Sequence, residues 1–224
     1  MAITLYGVSG SPLVWRVWFA LEHKELNYDI KWLSFLTGDL RKPEFLLLNP
    51  RGKVPVLADD NLVLYETSTI IEYLDERYPQ NGLFPGKPHE RAIIRKTLSE
   101  IDCYLFTELR YLMQQIFLKP EDEWDIDLIT QAQIQFCAEL QYCEQIQNGV
   151  YFLNELSVID YALYPMLAIA QRLEKRKPDL GISASIGPNL QQWMKNIESL
   201  PFFAKTIPPH WRDNYARSVA KSEF

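Results

Sequence analysis

The stretch Asn49–Pro79, NPRGKVPVLADDNLVLYETSTIIEYLDERYP, decides how the rest of the chain is read. Val54, Val56 and Leu57 flank Pro55 as a short apolar β run, and Leu62–Tyr65 form a second run across the polar turn Asp59-Asp60-Asn61, which predicts an antiparallel hairpin. Thr67, Ile70, Ile71, Leu74 and Tyr78 then recur at helical spacing, so the period changes from two to about 3.6 and a helix starts just after Glu66. The first N–H groups of such a helix are open to an anion, and Glu66-Thr67 at the junction is placed to hold a charged ligand. Proline inside an apolar strand removes a ladder hydrogen bond, so Pro55 marks an edge, a bend or a cis peptide.

Upstream, Ile3–Tyr6 is a short β run, and Gly10-Ser11-Pro12 opens a helix in which Leu13, Val17, Ala20 and Leu21 share a face. Ser11 suits the N-cap and Pro12 the first helical position. Asn27–Leu33 supplies another strand. The order β-α-β, connecting segment, β-β-α predicts an α/β thioredoxin-like N-terminal domain over residues 1–79. A dithiol version of that fold carries C-x-x-C where this chain has Ser11-Pro12-Leu13-Val14, so disulfide exchange by that motif is excluded.

The densest cluster of helix and strand breakers, Pro79, Gly82, Pro85, Gly86 and Pro88, predicts a linker over 80–88. Beyond it the β signals stop. Ile94, Leu98, Ile101, Leu105, Leu109, Leu112 and Ile116 predict one long amphipathic helix, and Ile129, Ala132, Phe136, Leu140 and Cys143 a second. Residues 89–207 therefore read as an all-α helical-bundle domain. Within it Ser157 and Asp160 are spaced as a capping box. Residues 208–224, beginning PPHWRDNYAR, carry no clear period and read either as a flexible tail or as a cover over the site.

The segments GKVPVL and YETSTIIEYL resemble the glutathione-binding stretch of the cytosolic glutathione transferases. The resemblance spans about Ile3–Ile207 and is strongest in the first 80 residues. It implies that Pro55 is cis, that Val54 and Pro55 bind the cysteinyl part of glutathione, and that Glu66 and Thr67 hold its γ-glutamyl end, with Thr67 where many members have Ser. A basic pair before Pro43 would meet the glycyl carboxylate. Leu40 departs from that pattern, leaving Arg41 and Lys53 to supply the charge.

Ser11 stands five residues before Arg16-Val17, the offset of the activating Ser in plant-type members and of the Cys in thiol-transferring ones. Ser11 then acts as a hydrogen-bond donor to the thiolate of glutathione, with Ser9 and Tyr6 as rival hydroxyls. The electrophile would lie beside Ser11, with Tyr104 and Tyr111 as lining candidates. The resemblance implies a detoxifying transferase acting on small hydrophobic electrophiles, with glutathione as co-substrate and a homodimeric assembly. Peroxidase, dehalogenase or isomerase chemistry uses the same thiolate. A non-catalytic glutathione-binding or protein-interaction scaffold is the alternative.

Composition narrows the classes. With 224 residues, 47% of them hydrophobic, the chain can bury a sizeable core. A net charge of −6 with no basic stripe argues against nucleic acid. No apolar run reaches the roughly 18 residues of a membrane span, and the start MAITLYGVSG has no charged region ahead of its apolar residues, which predicts a cytoplasmic protein. Cys103, Cys137 and Cys143 show no metal spacing and read as small buried hydrophobes. His23, His89 and His210 likewise lack metal-ligand spacing and read as solvated, so no metal is expected. No G-x-S-x-G elbow is present for a serine hydrolase.

Overall fold

A computed structural model describes residues 3–153 and 155–211. The described residues divide into two compact units, one holding Ile3–Leu83 together with Pro201–Trp211, the other Phe84–Leu200.

The first unit is thioredoxin-like. Strand β1 (Ile3–Val8) leads through a three-residue loop into α1 (Pro12–His23), and β2 (Tyr28–Leu33) returns parallel to β1. Strands β3 (Val56–Asp59) and β4 (Leu62–Tyr65) form the expected hairpin, with Val56 opposite Tyr65, and β3 runs antiparallel to β1 with Val56 opposite Tyr6. The sheet order is β2-β1-β3-β4. The connecting segment holds one feature the periodicity did not reveal, a single helical turn α2 (Pro43–Leu46) that seats Phe45 with Val8, Leu40 and Val56 in a buried cluster. Helix α3 (Thr67–Arg77) starts at the expected residue and buries Thr67, Ile70, Ile71 and Leu74.

The C-terminal ends of α1 and α3 are tied by a buried cation. Lys24 Nζ donates to the carbonyls of Tyr78, Gln80 and Asn81 at 2.7, 3.1 and 3.2 Å and lies 3.4 Å from Asp75 Oδ1. Burial lowers the Lys24 pKa, and the Asp75 carboxylate opposes that shift. Four acceptors around one ammonium replace the water it gave up.

The second unit is all helical. Helix α4 (Pro88–Glu100) passes through a π-helical segment, Ile101–Leu105, into α5 (Phe106–Ile116), so the single long helix expected from the apolar stripe is continuous but locally underwound, with the Phe106 amide donating to the Ile101 carbonyl. Helix α6 (Ile126–Ile146) and α7 (Val158–Arg176) follow, then the one-turn α8 (Ile182–Ser185) and α9 (Pro188–Glu198). Nearly every residue of the first three turns of α7 is buried, and it continues through Pro165. Its start is held as the spacing predicts. Asp160 accepts from the Ser157 amide at 2.9 Å, and it also takes the Phe152 amide at 2.9 Å and the Trp193 indole at 2.8 Å.

From Pro201 the chain returns to the first unit and lies along α1. A short helix α10 (Phe203–Thr206) brings Phe203 to 6.1 Å from Phe19, ring centre to ring centre, while Phe202 meets the same ring edge-on at 6.4 Å. Lys205 Nζ pairs with Glu22 at 3.3 Å.

Candidate active site

The sheet register alone gathers three segments at one end of the first unit. Pairing of Tyr6 and Tyr65 with Val56 sets the exit of β1, the entry to β3 and the exit of β4 side by side. The loop Ser9–Ser11, the loop ending in Val54-Pro55 and the junction Glu66-Thr67 all follow directly from those strand ends.

Ser11 caps α1 as its sequence position predicts. Its backbone is extended (φ −71°, ψ 123°), its carbonyl accepts from the Trp15 amide at 2.9 Å, and its hydroxyl accepts from the Val14 amide at a long 3.4 Å. Capping uses an oxygen lone pair, so the hydroxyl proton can be directed to a second acceptor. The side chain thus presents an O–H donor at the positive end of a twelve-residue helix.

The Val54-Pro55 peptide is cis. Asn49 braces this loop, donating from Nδ2 to the Lys53 carbonyl at 2.8 Å and accepting the Arg51 amide at 3.0 Å. Gly52 sits at φ +60°, and a Cβ there would come 2.9 Å from the Leu40 carbonyl oxygen and 3.1 Å from Arg41 Nη1. Both the backbone conformation and the close approach therefore call for glycine. The packing places the Arg41 guanidinium against the turn that carries Lys53, and both basic residues are exposed. Leu40, at the position where the resemblance calls for a base, is buried in the Phe45 cluster.

Glu66 adopts φ 74°, ψ 113°, a region that side chains rarely occupy. Its carboxylate is exposed and 3.9 Å from Arg51 Nε, a loose ion pair that no sequence motif marks. Thr67 follows as the first residue of α3 and is buried.

The rival hydroxyls have partners of their own. Tyr6 belongs to the Phe45 cluster, with Lys31 Nζ 3.4 Å from its hydroxyl. Ser9 Oγ is 2.6 Å from His210 Nδ1, and His210 Nε2 accepts the Trp211 indole N–H at 2.8 Å. His210, read from sequence as solvated, is thus half-buried and bonded to the loop that carries Ser11. His23 is also half-buried, and its pKa is lowered chiefly by burial, then by the neighbouring Lys24 charge. No signal pointed to either, because PPHW has no period and a lone histidine at a helix end has no motif.

Tyr104 lies on the π-helical segment, 58% exposed. Tyr111 lies on α5, half-buried, with the Arg110 guanidinium 5.4 Å from its ring. The cysteines divide: Cys143 is buried and its thiol is pushed up to about 12, Cys137 is half-buried, and Cys103 is exposed, so the expectation of three buried thiols holds for one. Among the described residues no group of three or more His, Cys, Asp or Glu side chains is placed to hold a metal ion. Nor is any helix there long and apolar enough to cross a membrane.

A four-stranded thioredoxin-like sheet with a cis-proline loop beside a helix-capping serine, followed by an all-helical unit, is the architecture of the glutathione transferase fold. Residues 5–82 match the family model described as glutathione S-transferase, N-terminal domain. Over 223 residues, 95% of this chain and 99% of the relative, the sequence is 31% identical to the probable maleylacetoacetate isomerase of Vibrio cholerae serotype O1. The crystal structure of glutathione transferase F2 from Populus trichocarpa superposes with a TM-score of 0.79 at 23% identity, covering 92% of this chain and 97% of that one. The theta class enzyme of Xanthomonas axonopodis pv. citri, solved with glutathione bound, superposes with a TM-score of 0.76 at 24% identity over 92% and 96% of the two chains. The chain belongs to the cytosolic glutathione transferase family.

Proposed function

We propose that this protein is a glutathione transferase in which Ser11 stabilises the thiolate of bound glutathione for attack on small hydrophobic electrophiles. A free thiol has a pKa of about 8.5, so little is ionised at neutral pH. A hydroxyl donated to the sulfur contributes roughly 1.5 to 3 kcal/mol, and a helix N-terminus about 0.3 to 1. At about 1.36 kcal/mol per unit, the two together lower the thiol by about one to three units, enough to make thiolate the main species near pH 7.

The observation that carries this reading is the cap itself, a serine O–H at the start of α1, at the same sheet end as the cis Val54-Pro55 bond and the strained Glu66 junction. Val54 and Pro55 are the proposed partners of the cysteinyl backbone, Glu66 and Thr67 of the γ-glutamyl group, and Arg41 and Lys53 of the glycyl carboxylate. Tyr104 and Tyr111 are the proposed contacts to the electrophile, and a homodimer is the proposed assembly.

The same thiolate supports two outcomes. Displacement at an activated aryl halide forms a C–S bond, releases halide and consumes glutathione. Addition to a conjugated double bond, rotation about the resulting single bond and expulsion of the thiolate return glutathione, an isomerisation. The name of the Vibrio relative favours testing the second beside the first.

The test is an ultraviolet titration of the bound thiolate in wild type and Ser11→Ala. The expected result is a bound pKa at least one unit below the free thiol, moving back toward it in the variant, with affinity kept within a few fold and turnover with an activated aryl halide down on the order of a hundredfold. Binding with an unshifted thiol favours the scaffold reading. A fully active Ser11→Ala returns the role to Ser9 or Tyr6.

A further inference from the structure

The returning segment meets the β1–α1 loop and the first turn of α1 at three points. Ser9 Oγ and His210 Nδ1 are 2.6 Å apart. Gly10 sits at φ +82°, and a Cβ on it would come 2.8 Å from His210 Cε1, so the imidazole occupies the space a side chain would fill. Trp211, next in sequence, packs edge-on against Trp15 of α1 at 5.1 Å and 84°. These contacts lie on both sides of Ser11.

The tautomer follows from the donor chemistry. An indole N–H can only donate, so His210 Nε2, which accepts the Trp211 N–H, is unprotonated. The neutral ring therefore carries its proton on Nδ1 and donates it to Ser9 Oγ. Trp211 fixes the imidazole, and the imidazole fixes Ser9. The turn is closed from within by the Ser11 amide, which donates to the Val8 carbonyl at 3.1 Å.

We infer that His210 is a positioning residue of this site, acting through Ser9 and over Gly10 to hold the loop that presents the Ser11 hydroxyl. The inference rests on the proposed role of Ser11. A donor aimed at a thiolate works only within a narrow range of distance and angle, and a three-residue loop containing glycine would otherwise wander out of it. The strap removes that freedom before glutathione arrives.

Two measurements on the full chain separate this inference from the reading beneath it. The first, without ligand, is amide hydrogen exchange across Ser9–Val14. His210→Ala and Ser9→Ala are each expected to speed exchange there about tenfold or more, while His210→Asn, whose amide nitrogen can stand where Nδ1 stands but which lacks the ring atoms over Gly10 and toward Trp211, falls between the alanine variant and wild type. The second is turnover with an activated aryl halide and titration of the bound thiol. His210→Ala is expected to lower kcat on the order of tenfold and raise the bound thiol pKa, with the KM for glutathione within about threefold.

Ser9→Ala should match that loss, and the double variant should add little. Wild-type exchange in both His210→Ala and Ser9→Ala overturns the inference. Equal impairment in the Ala and Asn variants, with KM raised as far as kcat falls, also overturns it, since His210 would then be a ligand contact. A wild-type thiol that titrates at its free value overturns the role of Ser11 instead, and exchange then still decides whether the strap holds the loop.

Discussion

Glu66, the proposed partner of the γ-glutamyl group, holds a backbone conformation that its own contacts do not offset. At φ 74° its backbone costs about 1 to 3 kcal/mol relative to an ordinary one, and its exposed carboxylate returns only a loose pair with Arg51. Glycine would relieve the strain. Glu66→Gly is therefore expected to keep or raise the thermal midpoint while weakening glutathione binding about ten- to a hundredfold, the loss of one or two hydrogen bonds to a charged ammonium. Calorimetric titration beside a melting curve checks both. Unchanged affinity would remove Glu66 from the γ-glutamyl site. From sequence, the strand-to-helix junction at this residue was legible because the hydrophobic period changes there. Its positive φ was not, because no glycine marks it.

At the scale of elements, the box at the start of α7 was readable because Ser157 and Asp160 have capping spacing ahead of an apolar run. Spacing does not disclose that Asp160 is fully buried and also accepts from Phe152 and Trp193. Burial pushes its pKa up and those donors oppose the shift. Removing the carboxylate leaves buried N–H donors without an acceptor, so Asp160→Ala is expected to cost about 3 kcal/mol or more, above the 0.5 to 2 of a surface cap. Urea unfolding measures it, and a loss under 1 kcal/mol would show that water or repacking satisfies the donors. Pro165 makes the converse point. A proline inside a helix normally costs about 3 kcal/mol, yet α7 continues through Pro165, with the residues on both sides buried.

Acid stability belongs to the whole molecule. The His23 pKa is lowered from its ordinary value of 6.5, first by burial and then by Lys24. The unfolded chain therefore binds the proton more readily. The stability contribution is fully present above pH 6.5 and is lost as pH falls through the lower, folded value. The difference in unfolding midpoint between wild type and His23→Gln is expected to change between about pH 7.5 and 5, whereas parallel curves would show that His23 titrates alike in both states.

The sequence by itself determined the order of the four strands with α1 and α3, the helix start at Thr67, the cap at Ser11 and the box at Ser157–Asp160. Each depends on residues a few positions apart, where periodicity, turn chemistry and capping act locally. Only tertiary structure decided that Leu40 serves the Phe45 cluster, that Lys24 gathers three carbonyls across the ends of α1 and α3, and that residues 201–211 return along α1 to put His210 on Ser9. These contacts join residues far apart in the chain, up to 201 positions for Ser9 and His210. Such pairings arise from packing and from the partners that buried polar groups must find, and no local pattern encodes them.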